Sequence, residues 1–169
     1  MEITVIIPVY NREKLLPRTL ASVVAQTYRP LHVVLVDNGS TDRSLAVLQE
    51  FCDKYAAPDF RVTVCEELNP GAPSARNAGL RRATSEWVMF FDSDDEMGAR
   101  LVENYVSAIG KNPADVAGFD LLKPLADFEQ VTRQGINGTI FALLAMDSGK
   151  YEIPENPDAA VQATRQMYV

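Results

Sequence analysis

Asp92-Ser93-Asp94-Asp95 crowds three carboxylates into four residues, directly after the apolar run Trp87 to Phe91. Like charges at that spacing repel, so the ligand-free cluster costs free energy unless a proton or cation relieves it. Hard oxygen donors at this density suit Mg²⁺ or Mn²⁺, which would in turn hold phosphate oxygens of a substrate. The plainer reading is a solvated acidic turn in which Ser93 or Asp94 caps a helix beginning near Ala99. A further carboxylate, Asp37, follows the run His32 to Val36 and precedes Asn38-Gly39-Ser40. It can accept hydrogen bonds from a base N–H or from ribose hydroxyls. Its plainer reading is an Asx-turn with glycine supplying a positive φ.

Two more segments carry chemistry. Pro70-Gly71-Ala72-Pro73-Ser74-Ala75-Arg76-Asn77-Ala78-Gly79 sets an arginine in a helix of otherwise small residues. Small residues allow close approach of backbone to a ligand or strand, and Arg76 can supply charge to a phosphate or stack on a base. Otherwise Arg76 points to solvent from a tightly packed helix. Pro8-Val9-Tyr10-Asn11 closes the first apolar run, where the Val9 backbone and the Tyr10 ring can face a nucleobase. An aromatic at a strand end is more often ordinary packing.

These residues need elements to position them. Ile3 to Val9, His32 to Val36, Phe60 to Cys65 and Trp87 to Phe91 read as strands, with Val116 to Phe119 a candidate fifth. Between them, Leu15, Leu16, Leu20, Val23 and Val24, then Leu45, Leu48 and Phe51, recur at helical spacing. Asn11 is the expected cap of the first helix, which Tyr28-Arg29-Pro30 ends, and Ser40 or Thr41 that of the second. Leu101, Val102, Tyr105, Val106 and Ile109 mark a later helix. Strands apolar on both faces, each followed by a helix, predict an α/β fold: three layers, α/β/α, around a mostly parallel sheet. Ligands of such sheets bind at the carboxyl ends of the strands, where every polar cluster above falls.

The remaining features are exclusions. A formal net charge of -7 argues against nucleic acid as a partner, since such binders need a basic surface. Met1 to Pro8 lacks the basic n-region and small-residue cleavage site of a signal peptide, and no apolar run approaches the roughly 18 residues of a membrane span. Cys52 and Cys65 lack metal-ligand spacing and read as buried free thiols of a cytosolic protein. Beyond Leu121 the pattern degrades. Ile140 to Met146 is apolar, and Asp158 to Met167 reads as a short helix capped by Asn156 or Asp158.

Taken in order, Ile6-Ile7-Pro8-Val9-Tyr10-Asn11, Val36-Asp37-Asn38-Gly39-Ser40-Thr41-Asp42, Gly71-Ala72-Pro73-Ser74-Ala75-Arg76-Asn77 and Phe90-Phe91-Asp92-Ser93-Asp94-Asp95 resemble the family-2 inverting glycosyltransferases. The resemblance covers roughly Ile3 to Asp120 and implies the Rossmann-like nucleotide-diphospho-sugar transferase fold called GT-A. It divides the chain into a nucleotide-sugar-binding core, 1–120, and an unassigned segment, 121–169, the possible start of an acceptor-binding part. It implies that Pro8, Val9 and Tyr10 line the base pocket and that Asp37 hydrogen-bonds the base, usually uracil. Arg76 then lies near base and diphosphate, and Asp92-Ser93-Asp94 is the D-x-D motif. Asp94 or Asp95 would contact the Mg²⁺ or Mn²⁺, and Asp92 or Asp94 the ribose. The implied partners are a nucleoside-diphosphate sugar, UDP-linked, and a glycan or lipid-linked acceptor. The implied location is cytoplasmic, with weak association at the inner face of the membrane.

Relatives place the catalytic base downstream, often in a Glu-Asp pair. No such dipeptide follows Asp95, and Asp115, Asp120, Asp127, Asp147, Glu152, Glu155 and Asp158 lack distinguishing context. The segment is therefore expected to be an N-terminal portion that binds a metal-nucleotide but transfers sugar poorly. The alternative is a non-catalytic nucleotide-sugar-binding module without its base. Other α/β enzymes fit less well. A haloacid-dehalogenase-type phosphatase needs Thr or Val where Glu96 stands, and a Rossmann dehydrogenase needs a glycine-rich turn where Pro8-Val9-Tyr10-Asn11 stands. A sugar-phosphate nucleotidyltransferase would carry a glycine-rich, basic loop at that same place.

Overall fold

The computed structural model describes residues 1–111, 116–118 and 142–145. The first strand, β1 (Ile3–Val9), is buried along nearly its whole length because successive side chains face opposite layers. Ile3, Val5, Ile7 and Val9 enter one core while Ile6 enters another. The same alternation runs through β2 (Leu31–Asp37), all seven residues of which are buried. With β3 (Phe60–Glu66) and β4 (Trp87–Phe90), these form four parallel strands in the order β3-β2-β1-β4.

Helices α1 (Leu16–Val24) and α2 (Ser44–Tyr55) bury Leu16, Leu20 and Val23, and Leu48 and Phe51, against the first face. Helix α4 (Leu101–Lys111) adds Leu101, Val102 and Tyr105 to that core. Helix α3 (Ala72–Leu80) covers the other face, packing Ala75, Ala78 and Leu80 on Ile6, Val34, Val36 and Val88. The side follows from connectivity. The chain steps outward from β1 to β2 to β3, then crosses back over β1 to β4, and a right-handed crossover in the reverse direction puts its helix on the opposite face. The sequence-based α/β/α layering is what forms.

Its small residues let α3 sit low on the sheet. A Cβ at Gly79 would overlap the Ile6 side chain, so only glycine permits this approach.

Two short strands complete the sheet. β5 (Val116–Gly118) pairs antiparallel with β6 (Ala142–Ala145), which pairs antiparallel with β4, giving the order β3-β2-β1-β4-β6-β5. The apolar run Ile140 to Met146 thus supplies a strand of the central sheet. The expected helix over Asp158 to Met167 lies outside the described residues.

Local expectations failed at the helix starts. Asn11 does not cap α1, which begins five residues later at Leu16; it adopts a left-handed φ of 51° and accepts a hydrogen bond from Thr41 N–H. Ser40 and Thr41 do not cap α2 either. Ser40 Oγ accepts from Asn11 N–H, and Asp42 Oδ1 accepts from the N–H of Ser44. These polar side chains join the loop after β1 to the loop after β2, which satisfies more backbone groups than a cap would. Neither Ser93 nor Asp94 caps a helix near Ala99, because α4 starts at Leu101. Helix α1 ends at Val24, ahead of Tyr28-Arg29-Pro30, and the Arg29 guanidinium donates to the carbonyls of Val24, Gln26 and Tyr28. Cys52 and Cys65 are free thiols as expected, but both are partly exposed rather than buried.

Candidate functional site

The sheet reverses its direction of growth between β1 and β4, and the strand ends there leave a crevice. A cleft of about 270 Å³ occupies it. Pro8, Val9, Tyr10 and Arg12 line it from the end of β1 and the loop after it, with Asn38 just after β2. Ala72, Ala75 and Arg76 from α3, with Asp92, Ser93 and Asp94 after β4, complete the lining. Seven residues singled out from the sequence, Pro8, Val9, Tyr10, Arg76, Asp92, Ser93 and Asp94, therefore meet in one place. Tyr10 is half exposed, its ring available at the mouth. Asp95 is not among the lining residues; its N–H donates to Asp92 C=O within the turn.

Asp37 is buried at the last position of β2, in register with Val9. Its Oδ2 accepts from Ser40 N–H at 3.0 Å. Its Oδ1, among the described residues, is the one buried side-chain oxygen or nitrogen without a hydrogen-bond partner. A buried acceptor that the protein leaves unpaired is costly, so this oxygen calls for a partner from a water, an ion or a ligand group.

Electrostatic relief of the acidic turn differs from the sequence-based expectation. Arg76 Nη2 pairs with Asp92 Oδ1 at 3.0 Å, and Arg12 Nη2 pairs with Asp94 Oδ2 at 3.4 Å. Asp92 and Asp94 thus each have an arginine, and protein cations lower the repulsion within the turn. Arg76 does not simply point to solvent from α3.

Three other groups hold this arrangement and were missed in the sequence. Asn38 Oδ1 accepts from Gly71 N–H while its Nδ2 donates to the carbonyls of Glu67 and Asn69, so one amide pins the loop into α3. Gly71, with φ of 110°, occupies a conformation open only to glycine. Helix α1 presents Thr19 and Ser22, and Gln26 just past its end, to the segment after β4. Thr19 Oγ1 donates to Ser93 C=O, Ser22 Oγ accepts from Met97 N–H, and Gln26 joins Gly98 C=O to Val102 N–H. Arg12 was passed over because it lies outside the tripeptide that resembles a base pocket. The available signal for α1 was a neutral polar stripe beside its apolar one.

The donor set fits a divalent cation of the Mg²⁺ or Mn²⁺ kind in a particular way. Asp94 and Asp92 offer hard oxygens within one cleft, yet among the described residues no group of three His, Cys, Asp or Glu side chains converges. Such ions commonly take only one or two protein carboxylates and complete their shell with substrate phosphates and water. The acidic residues Asp115, Asp120, Asp127, Asp147, Glu152, Glu155 and Asp158 lie outside the described residues.

A doubly covered, mostly parallel sheet with this cleft at its switch point defines a doubly wound α/β class whose ligands bind at that crevice. Comparison with known proteins narrows the class. Residues 4–165 match the model of glycosyl transferase family 2. Glycosyltransferase GlyA of Streptococcus pneumoniae is 40% identical over 116 residues, 69% of this chain and 16% of that protein. Staphylococcus aureus TarS 1–349 in complex with UDP superposes with a TM-score of 0.62 at 30% identity, over 69% of this chain and 34% of the other. The mannosyltransferase PcManGT of Pyrobaculum calidifontis, in complex with GDP-Man and Mn²⁺, gives 0.64 at 32%, over 78% and 38%. The chain belongs to glycosyl transferase family 2 and has the GT-A fold. It spans about a third of each of these two structures. No helix among the described residues is long and apolar enough to cross a membrane.

Proposed function

We propose that this chain carries the donor-binding part of a glycosyltransferase that moves a sugar from a nucleoside diphosphate, UDP in the first instance, to an acceptor hydroxyl with inversion. The carrying observation is the convergence of Pro8, Val9, Tyr10, Arg76 and Asp92 to Asp94 in one cleft, with the unpartnered Asp37 Oδ1 beside it. Asp37 Oδ1 accepts the ring N–H of uracil, and Tyr10 at the mouth packs on the base. Arg76 faces the diphosphate, to which a guanidinium binds in fork geometry. Asp92 and Ser93 lie toward the ribose. Asp94 holds the Mg²⁺ or Mn²⁺, with Asp95 supporting the turn; when bound, the ion neutralises charge developing on the leaving diphosphate. The acceptor oxygen bonds to the anomeric carbon as the bond to the diphosphate oxygen breaks, and the acceptor proton passes to a base that the described residues do not identify.

The hexosyl or N-acetylhexosaminyl class of the sugar, the glycan or lipid-linked nature of the acceptor, and action from the cytoplasmic side of a membrane belong to the same proposal. The resemblance in the four motifs supports them. Titration with UDP and GDP, each with and without Mn²⁺, tests the core of it. UDP binding that Mn²⁺ strengthens, and that Asp37→Ala and Asp94→Ala weaken, is expected. Failure of a folded sample to bind any nucleoside diphosphate overturns the reading, and preference for GDP overturns the uracil assignment.

A further inference from the structure

Arg12 sits on the cleft wall where no assigned role reaches it. Its backbone is fixed: Arg12 N–H donates to Ser44 Oγ at 2.8 Å, and the neighbouring Glu13 N–H donates to Asp42 Oδ2 at 3.1 Å. Burial works against the Asp42 carboxylate, yet hydrogen bonds from Ser44 and Glu13 outweigh it and hold its pKa below the usual value, so this clasp stays charged. The side chain leaves that clasp toward the acidic turn, where Nη2 meets Asp94 Oδ2 at 3.4 Å. Both partners are about half exposed, and a pair of that kind contributes little to stability. Stability therefore does not explain why the guanidinium stands there.

Charge does. Arg12, Arg76, Asp92 and Asp94 are the charged residues lining the cleft, and their formal charges cancel. A metal-bound diphosphate is itself nearly neutral, so the loaded cleft keeps that balance only while both arginines remain. With a cation held by Asp94, the Arg12 guanidinium would lose its Oδ2 partner while still lining the same cleft as Arg76, where phosphate oxygens could take that partner's place. We propose that Arg12 is the second cationic contact for the diphosphate of the donor, stored on Asp94 until a metal ion claims that carboxylate. This deepens the reading of the cleft as a donor site and rests on it. Two consequences follow: Arg12 strengthens nucleotide binding, and it competes with the metal for Asp94 while the nucleotide is absent.

Isothermal titration of the full chain separates these effects, using UDP in EDTA, UDP with Mn²⁺, and Mn²⁺ alone. With Mn²⁺ present, Arg12→Gln is expected to weaken UDP binding about tenfold, with Arg12→Lys intermediate because an ammonium lacks the fork; in EDTA, where Asp94 keeps the guanidinium, the loss should stay within about twofold. Mn²⁺ alone is expected to bind Arg12→Gln roughly threefold more tightly than wild type, since its competitor is gone. Lys14→Gln, which removes the same charge from an exposed position outside the cleft, controls for net charge and should change neither value. With Mn²⁺ present, UDP affinity of Arg12→Gln within about twofold of wild type overturns the phosphate contact, and an equal loss of about tenfold in EDTA overturns its release by the metal. Unchanged Mn²⁺ affinity, or an equal gain in Lys14→Gln, overturns the storage on Asp94. If wild type binds no nucleoside diphosphate the donor-site reading itself falls, whereas wild-type binding that Arg12→Gln leaves intact removes only this inference.

Discussion

Gln26 Nε2 donates to Gly98 C=O at 2.8 Å, a hydrogen bond that ties the end of α1 to the chain six residues past Asp92. The same side chain accepts Val102 N–H through Oε1 and is almost wholly buried. Gln26 therefore supplies in one amide the partners that the backbone around the start of α4 lacks. Gln26→Leu preserves bulk but strands the carbonyl of Gly98 and the N–H of Val102. It should lower stability by about 2 kcal/mol, measured by urea unfolding. UDP affinity should fall as well, because the acidic turn loses its anchor.

Asn38 offers a sharper test, since a single-atom exchange changes its chemistry. Asn38→Asp keeps an acceptor for Gly71 N–H but removes both donors to the carbonyls of Glu67 and Asn69, then sets a negative charge against them. The loop into α3 should open. Amide exchange over residues 67–72 is expected to accelerate while that of β1 and β2 stays slow, with a stability loss of about 1–3 kcal/mol.

Gly79→Ala probes the seat of α3. The added methyl meets Ile6, itself fully buried, so either Ile6 leaves its rotamer or α3 lifts. Overpacking of this kind costs about 1–3 kcal/mol. Thermal unfolding measures the loss, and Ile6→Ala, which removes the Cγ atoms the new methyl meets, should destabilise Gly79→Ala less than it destabilises wild type.

His32 gives the fold a pH dependence. It is buried in β2, bonded through Nε2 to Thr63 Oγ1 at 2.9 Å. Burial, then the Arg61 guanidinium, push its pKa below the ordinary value, with Glu2 opposing. The unfolded chain thus binds the proton more readily than the folded one. Stability is complete above the ordinary histidine value of about 6.5 and declines as pH falls below it. Urea midpoints between about pH 7 and 5.5 should decrease in wild type and flatten in His32→Gln.

The strands and the layering were legible because parallel strands under two helical layers are apolar on both faces, a pattern no surface element imitates. Their carboxyl ends announced the site, since Asp37 ends β2 and Asp92 to Asp94 follow β4, while Arg76 lies in α3. What sequence patterns missed is tertiary. Asn11, Ser40 and Thr41 carry good capping side chains, but a partner loop took them: Asn11 and Ser40 accept its N–H groups, and the Thr41 hydroxyl donates to Asn11 Oδ1. Arg12 resembles any loop arginine until the fold brings Asp94 within reach. Gln26 looks like a frayed helix end until the segment after β4 lies against it.

Because β6 runs between β4 and β5, part of the chain past residue 121 is structural to the strand that launches the acidic turn. A polypeptide cut at residue 120 would leave β4 as a naked edge, its amides and carbonyls open to a neighbour's strand, and should self-associate. One carried past residue 145 retains the cover. Light scattering of the two lengths distinguishes a protected sheet from a sticky one, and any minimal fragment made for ligand studies has to include that returning strand.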